Sequence, residues 1–154
     1  QILPDTPSTV QIYKMVAQLE QHIVTKNGKA TGSPMVNITK MDENQIYTQV
    51  AIPLERDINV SDGFTIKKMV LGNLLSVKVQ GDQAKVDQAF EASKQYLNDK
   101  QKTSPAIPFV IYNTNRLLEK DSSRWVSTIN YPIYKVSYCL NPISLRLSEF
   151  MPNT

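Results

Sequence analysis

Several kinds of residue are scarce in this sequence, and each shortage excludes a class of protein or site. The 154 residues include one cysteine, Cys139, and one histidine, His22. An internal disulfide and a metal site built from several cysteines are therefore excluded. The five glycines form no phosphate-cradling loop. Lysine and arginine exceed aspartate and glutamate by only 17 to 14, without a basic cluster, so we expect no direct nucleic-acid binding.

Long apolar runs are also missing. No run approaches the roughly 18 to 20 residues that cross a bilayer, and no signal-peptide pattern is present. We therefore expect no membrane span and a cytoplasmic location. The composition, 41% hydrophobic and 20% charged, is typical of one globular domain. Because the chain begins with Gln1 rather than Met, we expect that further sequence precedes it in the natural protein.

An internal duplication is the most informative feature that is present. Two amphipathic helices are predicted from apolar positions at i, i+4, i+7 and i+11, repeated 74 residues apart. These positions are Ile12, Val16, Leu19 and Ile23 in the first helix. In the second they are Val86, Phe90, Ser93 and Leu97, of which all but Ser93 are apolar. Ser-Pro-Met-Val at 33–36 is matched, again 74 residues on, by Ile-Pro-Phe-Val at 107–110. Each of these phrases begins a predicted strand.

Helix-end signals accompany the two predicted helices. Thr6 followed by Pro7 predicts an N-cap and a first-turn proline, and Asn27-Gly28 predicts the end of the first helix. Asp82 is the predicted N-cap of the second helix.

Each repeat is predicted to contain a strand, a helix and two further strands, giving an α+β fold with an antiparallel sheet. The first repeat covers 1–59 and the second 60–136, and 137–154 is a C-terminal extension; together they form one domain. The first strand of the first repeat is largely missing, because only residues 1–3 remain for it. Alternation in the strands places Val50 and Ile129 on the sheet face that packs on the helices.

Five phrases follow one another in this repeated layout. They are Gly-Ser-Pro-Met-Val, Thr-Gln-Val-Ala-Ile-Pro-Leu, Gly-Asn-Leu-Leu-Ser-Val-Lys-Val-Gln-Gly-Asp, Ile-Pro-Phe-Val-Ile-Tyr and Trp-Val-Ser-Thr-Ile-Asn-Tyr-Pro-Ile. Over about residues 5–135 the sequence resembles the GyrI-like effector-binding domain. The resemblance implies a pseudo-twofold β-α-β-β duplication with two helices on one sheet face and a small-molecule cleft on the other.

That family includes ligand-sensing domains of multidrug-responsive transcription regulators, stand-alone proteins that protect DNA gyrase, and a few hydrolases. The arrangement Trp-x-x-x-Ile-x-x-Pro at 125–132 is similar to a variant found after a START-type domain in single bacterial chains. The resemblance therefore implies an upstream START-type or DNA-binding domain in the full-length protein.

One departure from the family pattern bears on function. The resemblance implies a cleft glutamate in the last strand of the second repeat, where this sequence has Thr128, and the first-repeat counterpart is Gln49. Neither side chain can attract a cation or move a proton near neutral pH. We therefore predict no catalytic residue. Because the chain has one histidine and one cysteine, we also predict no metal, and we expect no cofactor. Both side chains can still hydrogen-bond a neutral ligand.

The predicted ligand-binding residues share the sheet face that the helices leave uncovered. Alternation places eight of them there, and the resemblance adds Tyr112. The set is Tyr47, Gln49, Ala51, Ser76, Lys78, Tyr112, Val126, Thr128 and Asn130. The alternative is a solvated sheet face with no ligand. Trp125 is expected on the helix side, in the core or at its rim, and the alternative is that it stacks on a ligand.

The predicted function is non-catalytic binding of a small organic ligand, in a bacterial regulator-type or START-fused protein. One alternative is a protein-interaction module of the gyrase-inhibitor type, in which the same face or the loop at 113–124 docks onto a macromolecule. The second alternative is a small-molecule hydrolase. Alternating apolar residues also predict an edge strand at 142–149 that pairs where the first repeat lacks its own strand; the alternative there is a disordered tail.

Overall fold

The computed structural model describes residues 1–42, 45–61, 63–69 and 72–133. The elements are β1 (Ile2–Leu3), α1 (Thr9–Thr25), β2 (Met35–Asp42), β3 (Gln45–Ala51), β4 (Asn73–Gln80), α2 (Gln83–Asp99), β5 (Phe109–Tyr112), a 3₁₀ turn (Ser122–Arg124) and β6 (Val126–Ile133). The predicted strand at 142–149 and Cys139 lie outside the described residues. Within them, neither helix has the length and apolar character that a bilayer crossing requires.

The six strands form one antiparallel sheet in the order β1-β3-β2-β5-β6-β4. The two halves of that order mirror each other, because each repeat contributes an outer, a middle and an inner strand. The inner strands β2 and β5 join the repeats through the pairs Met35↔Ile111 and Val36↔Val110. The predicted α+β class and the β-α-β-β duplication are therefore confirmed, while the boundary between residues 59 and 60 stays a prediction.

Alternation along the strands sends one set of side chains towards the helices. A row of paired apolar residues crosses the sheet on that face: Val50, Val36, Val110, Ile129 and Val77. Val36 and Ile129 are 2% and 0% exposed, and full burial of such a side chain contributes about 1.5–3 kcal/mol. One core cluster lies beneath α1 and a second beneath α2, and Val110 packs against both. The row therefore forms a common floor under the two helices.

The first helix begins two residues later than the sequence predicts. Ser8, not Thr6, is the N-cap: its hydroxyl accepts from the Gln11 N–H, and the Gln11 side chain accepts from the Ser8 N–H at 2.8 Å. This reciprocal capping box satisfies two backbone donors that a cap at Thr6 would leave open. At the other end Asn27 adopts a left-handed conformation with φ 54°, and the Gly28 N–H donates to the carbonyl of Ile23 at 2.8 Å, as the predicted stop requires.

The second helix begins and ends in nearly the same way as the first. Asp82 is the N-cap, as predicted, and its carboxylate accepts from the Lys85 N–H at 3.2 Å. Gln101, 74 residues after Asn27, repeats the left-handed turn with φ 49°. The duplication thus extends to the helix ends.

Candidate functional site

A cavity of about 410 Å³ lies on the helix face of the sheet, where the two repeats meet. The inner strands form its floor, α1 and α2 form its sides, and the segment between β5 and β6 closes one end. Its apolar wall includes Ile12, Val36, Val86, Phe90 and Val110, and its polar wall includes Gln83, Asp87, Glu91, Tyr112 and Arg116. The volume and the mixture of apolar surface with a few polar groups are typical of a small-molecule site.

Arg116 is the most unusual group in this wall, because an arginine is rarely buried. It is 6% exposed. Its Nη1 donates to Oε1 of Gln83 at 2.7 Å, and its Nη2 donates to the Ser127 hydroxyl at 2.8 Å. Its guanidinium carbon lies 3.7 Å from the ring centroid of Tyr112 and 4.9 Å from that of Trp125. The side chain is thus held between two aromatic faces and two neutral acceptors.

The segment that carries Arg116 is fixed to the first helix by Tyr13. The Tyr13 hydroxyl accepts from the backbone N–H of Arg116 at 3.0 Å and donates to the carbonyl of Thr114 at 3.3 Å. The indole N–H of Trp125 donates to the carbonyl of Glu119 at 2.9 Å. A helix of one repeat therefore positions a cavity residue supplied by the other repeat.

Charge in the cavity is unevenly distributed. Among the described residues, no carboxylate oxygen forms an ion pair with Arg116. Asp87 reaches it only through an intervening amide, since Nε2 of Gln83 donates to Oδ1 of Asp87 at 2.7 Å. Burial raises the pKa of Tyr112, and the adjacent Arg116 charge only partly opposes this shift. Tyr112 is therefore a neutral phenol at physiological pH, and Arg116 is a cation.

The structure places eight of the nine predicted ligand residues on the open sheet face. Several of them bond to one another or to neighbours. Ser76 donates to Oδ1 of Asn130 at 2.6 Å, and Nε2 of Gln49 donates to the Tyr47 hydroxyl at 3.1 Å. Ala51, Lys78, Val126 and Thr128 lie on the same face by their register. Ligand contact by this set stays a prediction.

The prediction for Tyr112 is wrong about the face. Tyr112 pairs with Ser127 and follows Val110 by two residues, so it points to the helix side with Val110. It is 4% exposed and belongs to the core cluster beneath α1. Alternation along the strand indicates the helix face for Tyr112. The family position indicated the open face, and that assignment is wrong. Trp125 lies on the helix side, as expected, where it lines the cavity.

Two cavity residues, Gln83 and Arg116, are absent from the sequence-based set. Gln83 follows the cap of a helix, and Arg116 lies in the polar stretch predicted as a loop, so neither carries a periodic signal. Separately, no three histidine, cysteine or acidic side chains within the described ranges are grouped so that they could hold a metal ion.

Comparison with known proteins supports the fold. No protein-family profile matches the chain, and no curated protein matches it significantly. Among solved structures it is similar to a chain in the "Cryo-EM structure of EcmrR-DNA complex in EcmrR-RPo", with a TM-score of 0.73 and 15% identity. The match covers 88% of this chain and 52% of that one, so this chain spans about half the length of its neighbour. At this identity the likeness shows a shared fold alone: a duplicated α+β domain that also occurs in a DNA-bound protein.

Proposed function

We propose that this chain is a non-catalytic domain that binds a small organic molecule in the cavity between its two helices. The observation that carries the proposal is the cavity of about 410 Å³ at the junction of the repeats. Its floor is apolar, and a few polar groups, chiefly Gln83, Tyr112 and Arg116, converge on it. Such a combination supplies burial for a ligand and fixes its orientation.

The chemistry of the buried cavity groups supports binding rather than catalysis. Arginine keeps its proton in proteins, and the raised pKa of Tyr112 keeps its proton in place near pH 7. A general acid or base works best when its pKa lies near the operating pH. These two groups can therefore orient a ligand but are poorly suited to transfer a proton.

The structural neighbour suggests the setting in which such binding would act. EcmrR was solved in complex with DNA, which fits a regulator-type protein with this domain as its sensor. The resemblance to the GyrI-like effector-binding domain points the same way. In this proposal a domain preceding Gln1, of DNA-binding or START type, produces the output, and the protein acts in the cytoplasm.

A thermal-shift screen of metabolites and dyes tests the proposal. Two matched variants locate any hit. Ile38→Trp puts a large ring at a cavity-lining residue that is 36% exposed, whereas Thr128→Trp places the same ring on the open face. We expect stabilising ligands whose effect is lost in Ile38→Trp and kept in Thr128→Trp. Stabilisation that is lost in Thr128→Trp and kept in Ile38→Trp would show that the ligand binds on the open face. A screen with no hits on the folded protein would contradict ligand binding.

A second candidate is a protein-docking module of the gyrase-inhibitor type. It is favoured by two leucines in the segment between β5 and β6, Leu117 and Leu118, which are 39% and 79% exposed. Exposed apolar side chains on a loop can serve as docking contacts. Binding to purified DNA gyrase that Leu118→Ser abolishes would support this function, and no binding at micromolar gyrase would dismiss it.

A further inference from the structure

Arg116 brings a positive charge into the cavity wall, and no carboxylate of the described residues pairs with it directly. The residue is 6% exposed, and the structure gives it no ion pair among the described residues. Its Nε is buried and has no hydrogen-bond partner there. A buried charge is costly unless it is paired and fully hydrogen-bonded. Within the described part of the chain, the cavity wall therefore contains a buried cation that is not fully hydrogen-bonded and has no direct ion pair.

The groups that the structure shows in contact with the Arg116 side chain, among the residues it describes, are neutral. The ring faces of Tyr112 and Trp125 attract the guanidinium, and Gln83 and Ser127 accept from it. These contacts reduce the cost of burying the side chain but leave its net charge intact. A guanidinium binds carboxylates and related oxyanions through paired N–H donors.

The N-terminal ends of the two helices also favour an anion in the cavity. The first turn of α1 lines the cavity through Thr9 and Ile12, and the first turn of α2 lines it through Gln83 and Val86. The N-terminal end of a helix carries partial positive charge and favours anions. Both ends lie at this one cavity, and the end of α1 contributes more, because at α2 the carboxylate of Asp82 already accepts from the Lys85 N–H.

Two acidic residues in the wall oppose an anion, but they are weaker than Arg116. Asp87 and Glu91 line the cavity from α2 and are both exposed. Water and salt screen exposed charges more than buried ones. Asp87 also accepts a hydrogen bond from Gln83, which holds its carboxylate on the far side of that amide from Arg116.

We infer that the ligand of this cavity is an organic anion, with an apolar body over the central strands and a carboxylate or sulfonate group bound by Arg116. This inference rests on the proposed function and adds the chemical class of the ligand. The anion replaces the Gln83 side chain at Nη1, since Gln83 is exposed and can turn towards solvent. The ligand's body packs on Val36 and Val110.

Two fluorescent probes that differ by one charged group test the inference. Anilinonaphthalene sulfonate is an aromatic anion, and N-phenylnaphthylamine has the same rings without the sulfonate. Titration of each into the whole chain gives two dissociation constants, and their ratio measures what the charge contributes. In Arg116→Met we expect the anion to bind about tenfold more weakly, equivalent to about 1.4 kcal/mol, with the neutral probe unchanged within about twofold.

Lys14→Met is the matched control, because it removes an exposed lysine of α1 that lies outside the cavity lining and should leave the ratio unchanged. Ile38→Trp should abolish the binding of both probes. That result would place their binding site in the cavity. An unchanged ratio in Arg116→Met, or an equal fall in Lys14→Met, would overturn the anion inference while leaving the proposed cavity intact. If Ile38→Trp weakens neither probe, the proposed function itself fails.

Arg116→Met could alter folding, so a conservative variant accompanies it. Arg116→Lys keeps the charge and should retain most of the preference for the anionic probe. Thermal unfolding of each variant verifies that it is folded before titration. If Arg116→Met is unfolded, the two probes are titrated into the wild type with added salt. We expect salt to weaken the binding of the anionic probe and not that of the neutral probe. Equal salt effects on the two affinities would refute the inference.

Discussion

Val36 pairs directly with Val110 in the middle of the sheet, and the two residues occupy equivalent positions, 74 apart, in the two repeats. A residue that pairs with its own equivalent lies at the pseudo-twofold axis relating the repeats. Val50 and Ile129, which are also equivalent, flank the pair on either side. Because Val36 and Val110 form the cavity floor, the axis passes through the candidate site. The cavity is therefore a product of the duplication, and each repeat supplies part of its wall.

Truncation at this axis should destabilise the protein. Val36 is 2% exposed, and Val36→Ala removes two buried methyl groups from the floor. We expect the free energy of unfolding, measured by urea titration, to fall by about 2 kcal/mol. Val24→Ala is the control, since Val24 is 71% exposed on α1, and it should change stability by less than about 0.5 kcal/mol. Equal effects of the two variants would contradict a packed centre.

One pair of equivalent buried hydroxyls is hydrogen-bonded in the second repeat but has no hydrogen-bond partner among the described residues in the first. We therefore expect substitutions at the two positions to change the free energy of unfolding differently. Thr48 and Ser127 are equivalent, 79 apart, and are 1% and 0% exposed. Ser127 accepts from Arg116, whereas the Thr48 hydroxyl has no hydrogen-bond partner among the described residues. Ser127→Ala leaves a buried guanidinium donor unpaired and should cost about 1–3 kcal/mol.

Thr48→Val should leave stability unchanged or raise it by about 1 kcal/mol, because a methyl group replaces a hydroxyl that gains nothing from burial. Urea unfolding of both variants provides the comparison. A loss on Thr48→Val as large as that on Ser127→Ala would mean that the Thr48 hydroxyl is satisfied after all.

Most of the fold could be predicted because local periodicity determines it. The helices follow from apolar spacing at i, i+4, i+7 and i+11, and the sheet faces follow from alternation around Val50 and Ile129. The truncated first strand follows from the offset between repeats and is found as Ile2–Leu3. These features depend on neighbours in sequence, which is where a single sequence is informative.

The cavity could not be predicted in the same way. It depends on how far apart the two helices lie on the common floor, and that distance follows from packing across the repeats. The position of Arg116 depends on a distant contact, because the hydroxyl of Tyr13, 103 residues away, accepts from its backbone N–H. Ligand binding was predicted on the open face, from the family resemblance, while the cavity is found on the helix face.

The corrected start of α1 gives a direct test of the capping box. Ser8→Ala removes the hydroxyl that accepts from Gln11 and should lower the free energy of unfolding by about 1 kcal/mol. Thr6→Ala lies outside the helix and should change it by less than about 0.5 kcal/mol. Urea denaturation of the two variants distinguishes the sites, and a larger loss for Thr6→Ala would restore Thr6 as the cap.

Alkaline pH should destabilise the second core cluster through Tyr131. Burial chiefly, and Glu91 next, raises the pKa of its hydroxyl to about 12, against about 10 in an unfolded chain. Between these values the unfolded state releases the proton and the folded state keeps it, so stability is full below about pH 10 and falls as the pH rises towards 12. The contribution is up to about 2 kcal/mol. Urea unfolding of the wild type and Tyr131→Phe from pH 9 to 12 measures it: the wild type should lose more stability, and parallel curves would show that Tyr131 titrates alike in both states.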